Sequence, residues 1–187
     1  MGQMTPVRGT SVTTADGIQQ VLTFLLNGEM FAVGILNVKE IIEYGQVTEI
    51  PLMPSFIRGV INLRGSVVPV IDLGARFGRD RQTIGRRTCI VIIELRSEDG
   101  SHHDMGMVVD SVSEVLDVAA SDIEPPPSFG ARIRADFIQG MSKIGNRFVI
   151  LLNIDRVLSI DEIALLLAAR DSAVDAGAET AHAAERV

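Results

Sequence analysis

An all-β fold of two small barrels or curled sheets, duplicated within one chain, is predicted by three observations. Of the 187 residues 47% are hydrophobic, yet only 4% are aromatic and none is Trp. The core must therefore be built from Val, Ile and Leu, which suit pleated, half-buried strands. The apolar runs are short and end at Gly- or Pro-marked turns, the punctuation of strands and hairpins. Finally, FIRGVINLRGSVVPVIDL, starting at Phe56, aligns without a gap on FIQGMSKIGNRFVILLNI, starting at Phe137, at a constant offset of 81. Phe56 matches Phe137, Ile57 matches Ile138, Gly59 matches Gly140 and Val68 matches Val149. Self-similarity of this kind marks a repeated structural unit.

Taken in order, residues 1 to 18 are polar and unpatterned and read as a disordered N-terminus. Gln20 to Leu26 and Glu29 to Val33 flank Asn27-Gly28, the dipeptide that favours a tight hairpin turn. Ile35, Leu36, Val38, Ile41 and Ile42 suit a short helix and a strand equally, and periodicity does not separate them. Pro51 and Pro54 frame a loop into the first copy of the repeat. There Phe56 to Leu63 and Val67 to Ile71 form a hairpin around Arg64-Gly65, with Gly65 supplying the positive φ. Pro69 lacks an N–H, so the second strand is expected at an edge or a bulge. Leu73 to Phe77 reads as a helical turn.

From Gly74 to Arg87 the chain carries Arg76, Arg79, Arg81, Arg86 and Arg87 and reads as a solvated connection. Strands resume at Thr88 to Leu95 and Met105 to Asp110, around a polar turn from Ser97 to Asp104. Pro125 to Pro127 make a stiff loop, and Phe137 to Gly140 with Phe148 to Asn153 form a hairpin turned by Gly145-Asn146. Ser159 and Glu162 form a capping box, which starts a terminal helix over about 160 to 171; the Ala-rich remainder, 172 to 187, reads as a flexible tail that frays.

Upstream of the repeat, VKEII (Val38 to Ile42) sits over VSEVL (Val112 to Leu116), and PLMPSF over PPPSF. The second copy's extra residues fall within Gly130 to Asp136. The folded part, 19 to 168, thus divides into a first barrel over about 19 to 83 and a second over about 84 to 158. Each would have a thin core alone, so the two must pack, with strand exchange between barrels as one way of doing so.

A net charge of −7 and an isoelectric point near 4.9 argue against nucleic acid or an anionic membrane as partner. No run of ~18 apolar residues or signal-peptide core is present, so no membrane insertion is expected. The single cysteine, Cys89, lies in an apolar run and reads as a buried reduced thiol of a cytoplasmic protein. His102 and His103 lie in the polar turn without metal-ligand spacing. No phosphate loop, CxxC pair or nucleophile elbow appears. Glu40 with Glu43 or Asp72 could form an acid/base pair, but nothing separates their pKa values. Neither catalysis nor a cofactor nor a metal is expected.

Arg64 is the residue that the shared fold does not require, because the second copy has Lys143-Ile144-Gly145-Asn146 where the first has Asn62-Leu63-Arg64-Gly65. An arginine so placed either binds a partner's carboxylate or ties the two units together.

GILNVKEI, VTEIPLMPSFIRGVINLRGSVVPVIDL, MGMVVDSVSEVL and the PPPSF segment, in this order, resemble the CheW family of chemotaxis adaptors over residues 19 to 168. The resemblance implies two five-stranded SH3-like barrels with a C-terminal helix. It implies a non-catalytic adaptor coupling the cytoplasmic hairpin tips of methyl-accepting chemoreceptors to the regulatory domain of the CheA histidine kinase, within receptor arrays at the inner membrane. Val38, Glu40 and Arg64 match the receptor-facing groove, and Ile35 and Phe129 match kinase-binding positions. Glu124 departs from the basic residue of a relative, which puts the charge of the second kinase contact in question. A CheW-like scaffold for another chemosensory output, and a small ligand-binding or hydrolytic β-barrel, are the alternatives.

Overall fold

The computed structural model describes residues 17–97, 99–126 and 133–164. The first two strands, β1 (Ile18–Leu26) and β2 (Glu29–Gly34), turn at Asn27-Gly28 as the dipeptide predicts; φ is 51° and 80° at these residues. The ambiguous stretch resolves into a 3-10 turn, Ile35–Asn37, followed by β3 (Val38–Glu43). The first copy's hairpin is β4 (Ile57–Leu63) and β5 (Ser66–Asp72), ending in the one-turn helix α1 (Leu73–Arg76). Then come β6 (Cys89–Arg96), β7 (His102–Val109), β8 (Ser111–Ala119), and β9 (Ile123–Glu124). The second hairpin is β10 (Ile138–Ile144) and β11 (Arg147–Leu152), followed by α2 (Ile154–Val157) and by a helix, α3, described over 160–164. The rest of the expected terminal helix, the tail, most of the N-terminus, and Pro127 to Arg132 lie outside the described residues.

The strands form two sheets, ordered β3-β6-β7-β5-β4 and β8-β1-β2-β11-β10-β9. Neither sheet follows the division of the chain near residue 84. Each takes two leading strands from the opposite copy: β6 and β7 sit between β3 and β5, while β1 and β2 sit between β8 and β11. The seams are parallel ladders, Val70 to Asp72 on Gly106 to Val108, and Val149 to Leu151 on Met30 to Ala32.

Strand alternation then sends side chains to two cores. Ile61, Val68, Val70, Ile90, Ile92 and Val108 fill the five-stranded sheet's own interior. Val21, Ala32, Val118, Val149 and Leu151 fill that of the six-stranded sheet. The intervening residues, Leu22, Phe24 and Leu26 of β1 with Val91, Ile93 and Leu95 of β6, face the largest core, which both sheets share. Through it runs an aromatic chain from Phe24 to Phe31, Phe77 and Phe137, with ring centroids 6.1, 5.8 and 5.9 Å apart. These four phenylalanines therefore fill the interface between the sheets.

The repeat is reproduced bond for bond. Phe56 accepts from the Asp72 N–H at 2.7 Å, and Phe137 from the Asn153 N–H at 2.8 Å. Asp72 caps α1 through Ala75 N–H, and Asn153 caps α2 through Arg156 N–H. Both hairpins are bulged, at Gly59 and at Gly140, because in each copy another segment crosses close above that glycine. A Cβ on Gly59 would lie 2.1 Å from the Thr48 carbonyl oxygen, and one on Gly140 would lie 2.4 Å from Ile123 Cγ2. Thr48 exchanges both backbone hydrogen bonds with Val60, each 2.9 Å, and so closes the first sheet onto β4.

Four expectations are corrected. Strand β5 is flanked by β4 and β7 and is not an edge. Pro69 is tolerated because its partner Val60 directs its N–H and C=O to Thr48, and because the ladder with β7 begins one residue later. The arginine-rich connection is anchored, not merely solvated. Arg76 is 5% exposed and lies over Phe56 and Phe137; Arg79 pairs with Glu29 at 2.6 Å; Arg81 donates to the carbonyls of Ser55 and Ile57. His102 and His103 begin β7 rather than lying in the turn. In the capping box, Ser159 Oγ accepts from Glu162 N–H, but the Glu162 carboxylate turns instead to Arg134 and to Arg76, 3.2 Å away.

Two charge sites tie these parts together, one buried at Asp72 and one partly exposed at Glu162. Asp72 is fully buried and accepts from Arg58 Nε and Gln82 N–H, both at 2.9 Å, and from Ala75 N–H at 3.0 Å. The second copy has the neutral pair Gln139 and Asn153 at these places. At Glu162, partial desolvation pushes the carboxyl up, but the guanidiniums of Arg134 and Arg76 outweigh it and hold the group below the usual glutamate range.

Asp72→Asn alone leaves Arg58 without its buried counter-charge and is expected to cost about 3 kcal/mol in urea unfolding. Arg58→Gln with Asp72→Asn, which copies the second hairpin, recovers most of that loss; equal destabilisation by the single and double variants would count against the assignment. A carboxyl depressed on folding stabilises above its unfolded pKa and stops doing so as pH falls through its folded value. Glu162→Gln should therefore lower the Tm near neutrality, with the gap from the parent closing in acid. A gap independent of pH would refute the coupling.

Candidate functional site

The site is built at the tip of the first hairpin. Arg64 takes φ of 50° and Gly65 takes φ of 88°, so both central residues of the turn are left-handed, as at Asn27-Gly28. The sequence points to glycine alone for the positive φ. A non-glycine residue pays roughly 1–2 kcal/mol to adopt it, and arginine has no short side chain to hydrogen-bond locally, as asparagine has. The turn is held by Asn62 Oδ1, which accepts from Gly65 N–H at 2.8 Å.

Arg64 then reaches across to β3. Its Nη1 and Nη2 donate to Glu40 Oε1 and Oε2 at 3.0 and 2.9 Å, a bidentate fork. The side chain of Arg64 is 75% exposed and that of Glu40 only 20%, so the carboxylate orients a guanidinium that remains open to solvent. Such an exposed pair contributes at most about 1 kcal/mol of stability. The strained turn is therefore not explained by folding energy.

Strand β3 is bulged against β6 between Val38 and Glu40, which inserts Lys39 and re-aims its neighbours. Lys39 Nζ lies 2.7 Å from Asp104 Oδ2 and 3.9 Å from Glu94 Oε1, and the Asp104 carboxylate holds the ammonium above its ordinary pKa. Val38 and Ile35 are half-buried against the shared core, whereas Leu36 between them is 71% exposed. Beside the hairpin lies a groove of about 630 Å³, lined by Lys39, Ile57, Gly59, Val67 and Pro69, among others.

Of the residues singled out in sequence, Glu40 and Arg64 are thus in direct contact. Val38 lies two positions before Glu40 on β3, Ile35 is on the turn leading into that strand, and Phe129 lies outside the described residues. Glu124 is exposed on β9, opposite Met141. Sequence reasoning missed Lys39, Leu36 and Val67. Val67 is 71% exposed and could have been found by alternation, since Val68 and Val70 point inward. Its counterpart in the second copy, Phe148, is 61% exposed, but Gly145 stands in place of Arg64 and the fork is missing there.

The remaining candidates make simpler contacts. His102 Nδ1 lies 3.3 Å from Glu94, and His103 Nε2 lies 3.0 Å from Ser101 Oγ. Among the described residues no cluster of His, Cys, Asp and Glu could hold a metal ion. Cys89 is a free, half-buried thiol whose pKa is pushed up by burial, which disfavours the reactive thiolate. No helix among the described residues is long and apolar enough to cross a membrane.

The model of the CheW-like domain matches residues 20–162. The chemotaxis protein CheW of Klebsiella aerogenes is 37% identical over 148 residues, covering 79% of this chain and 86% of that protein. CheW of Rhizobium meliloti is 31% identical over 79% of this chain and 92% of its own length. Protein FrzA of Myxococcus xanthus is 32% identical over 75% of this chain and 85% of its own. The crystal structure of the scaffolding protein TtCheW from Thermoanaerobacter tengcongensis superposes with a TM-score of 0.67 at 29% identity, covering 83% of this chain and 93% of that one. With its two exchanged sheets, duplicated hairpins and match over most of its length, the chain belongs to the CheW-like family of chemotaxis scaffold proteins.

Proposed function

We propose that this protein is a non-catalytic cytoplasmic adaptor that couples chemoreceptors to a CheA-type histidine kinase in a chemosensory array. The observation that carries the reading is the Arg64–Glu40 fork: a solvent-open guanidinium held in a strained turn, by a carboxylate, where the second copy has neither the strain of an arginine nor the pair. Strain kept at an exposed position points to binding rather than to folding.

In this reading a receptor helix pair lies along the first hairpin. Val38 and Val67 supply apolar contact and Arg64 bonds a receptor carboxylate or backbone carbonyl. The kinase regulatory domain docks barrel to barrel at Ile35, with the exposed Leu36 beside it, and at Phe129. A receptor conformation that fits the site better shifts the kinase between its conformational populations by that difference in fit. Individual contacts are modest, and multivalency in the array supplies strength.

The test mixes the protein with receptor cytoplasmic fragments and a cognate histidine kinase, and measures co-sedimentation and kinase autophosphorylation. The parent protein should bring both partners down and change the phosphorylation rate; no effect on either refutes the adaptor role. Arg64→Glu should leave the fold intact and weaken receptor co-sedimentation by roughly 2 kcal/mol or more. Arg64→Asn should weaken receptor binding while keeping or raising thermal stability, by up to about 1 kcal/mol, because asparagine tolerates the left-handed turn. A loss of stability in Arg64→Asn with unchanged binding would assign the arginine to the fold.

A further inference from the structure

The groove beside Arg64 has a mostly apolar lining, to which Val67, Pro69, Met105, Ile160 and Ile163 contribute. Charge enters it from Lys39, Glu94 and Asp104. Glu94 and Asp104 face each other across the β6–β7 ladder, and the bulge in β3 supplies one ammonium for the two carboxylates. Lys39 Nζ goes to Asp104 Oδ2 at 2.7 Å and stays 3.9 Å from Glu94 Oε1, beyond hydrogen-bond reach. His102 Nδ1 lies 3.3 Å from Glu94 Oε2, but among the described residues no group donates a hydrogen bond to the Glu94 carboxylate. That side chain is 35% exposed, so solvent reaches it only in part. Glu40 is satisfied by the Arg64 fork and Asp104 by Lys39, which leaves Glu94 as the groove's open acceptor, as Arg64 is the open donor beside it.

We propose that Glu94 is a second recognition point of this groove, and that it takes a lysine or arginine of the receptor helix lying there, at the flank of the apolar stripe that packs on Val67 and Met105. The assignment rests on the receptor reading above and names the chemistry of that partner. Desolvation is its physical basis. A helix that covers Val67, 71% exposed, withdraws water from the groove mouth, and a carboxylate left there without a counter-charge is strongly disfavoured. Lys39 cannot offset that cost, because moving to Glu94 would strand Asp104, whose side chain is only 20% exposed. The positive charge must therefore come from the helix itself. The same requirement discriminates between partners: a helix with an acidic or apolar residue at that place is rejected by an unpaired charge, whatever its shape. Charge complementarity thus defines the occupant as a helix with an apolar stripe, an acceptor for Arg64 and a basic side chain for Glu94.

The test titrates receptor cytoplasmic fragments against the full-length parent and its variants by co-sedimentation, with the Tm of each variant measured alongside. Glu94→Gln should bind about tenfold or more weakly at an unchanged Tm, and Glu94→Lys more weakly still. Asp122→Asn, which removes the same charge from an exposed 3-10 turn of the other sheet's chain, should bind as the parent does. Each lysine and arginine at the fragment's tip is then exchanged for glutamate. One exchange should recover binding to Glu94→Lys by about tenfold or more while weakening binding to the parent. Parent-like affinity in Glu94→Gln, equal weakening by Asp122→Asn, or recovery at no exchanged position each overturns the assignment and leaves the receptor reading standing. If the parent itself binds no receptor fragment, the receptor reading fails and the assignment of Glu94 falls with it.

Discussion

Two parallel ladders hold this molecule together: β5 on β7 and β11 on β2. Each joins a hairpin of one copy to a hairpin of the other, so neither sheet can be completed by one half of the chain. A duplicated unit of this size would bury little alone. Exchange solves this by giving each leading strand two buried faces. β1 sends Val21 into one sheet's interior and Leu22 into the shared core; β6 sends Ile90 and Val91 in the same two directions. The non-local pairing that results slows folding by raising contact order, but it makes the two barrels one cooperative body.

Once the two copies share a core, their differences become informative. Where the first hairpin has Arg58 and Asp72, the second has Gln139 and Asn153, and both still cap their helical turns. Arg76 has Val157 as its counterpart, and Arg76 Nε donates to the carbonyl of that same residue at 2.9 Å. The first copy has thus acquired charges that fasten it to the second copy and, through Glu162, to α3. Arg64 differs from these. Its charge faces solvent, and its turn costs energy that the exposed ion pair does not return. Arg58 and Arg76, which fasten the fold, are 12% and 5% exposed and lie against a carboxylate and over rings, whereas the Arg64 side chain is 75% exposed.

The fold was legible where side-chain pattern and turn chemistry agree. Asn27-Gly28, the Gly59 and Gly140 positions, and the helical turn after Asp72 could all be read from residue type and the repeat. The exchange of strands could only be posed as an option, because alternation shows that a strand has an inner face without naming the sheet. Doubly buried strands such as β6, with CIVIIEL, read as continuous apolar runs, and that signal of two cores was available. His102 was misplaced because its exposed edge of β7 is as polar as a turn. Pro69 was misplaced because the rule against proline in interior strands assumes a partner on both sides at that residue. At the site, Arg64 stood out by comparing copies, whereas Lys39 and its bulge depend on register, which no local pattern encodes.

The shared core also constrains how such an adaptor can act. A bistable hinge between barrels would need a boundary that few contacts cross, but here the largest core and the aromatic chain from Phe24 to Phe137 cross it. Large reorientation of one barrel against the other would open the core that both sheets share and separate the packed rings of Phe31, Phe77 and Phe137. Under the proposed adaptor reading, a signal would therefore travel by relative placement of partners on a stiff body, and not by opening of the body itself. What lies outside the shared core is the periphery: the Arg64 turn and the groove beside it. The Arg76–Glu162–Arg134 cluster fixes the start of α3 to both hairpins, so that this wall of the groove belongs to the same stiff body.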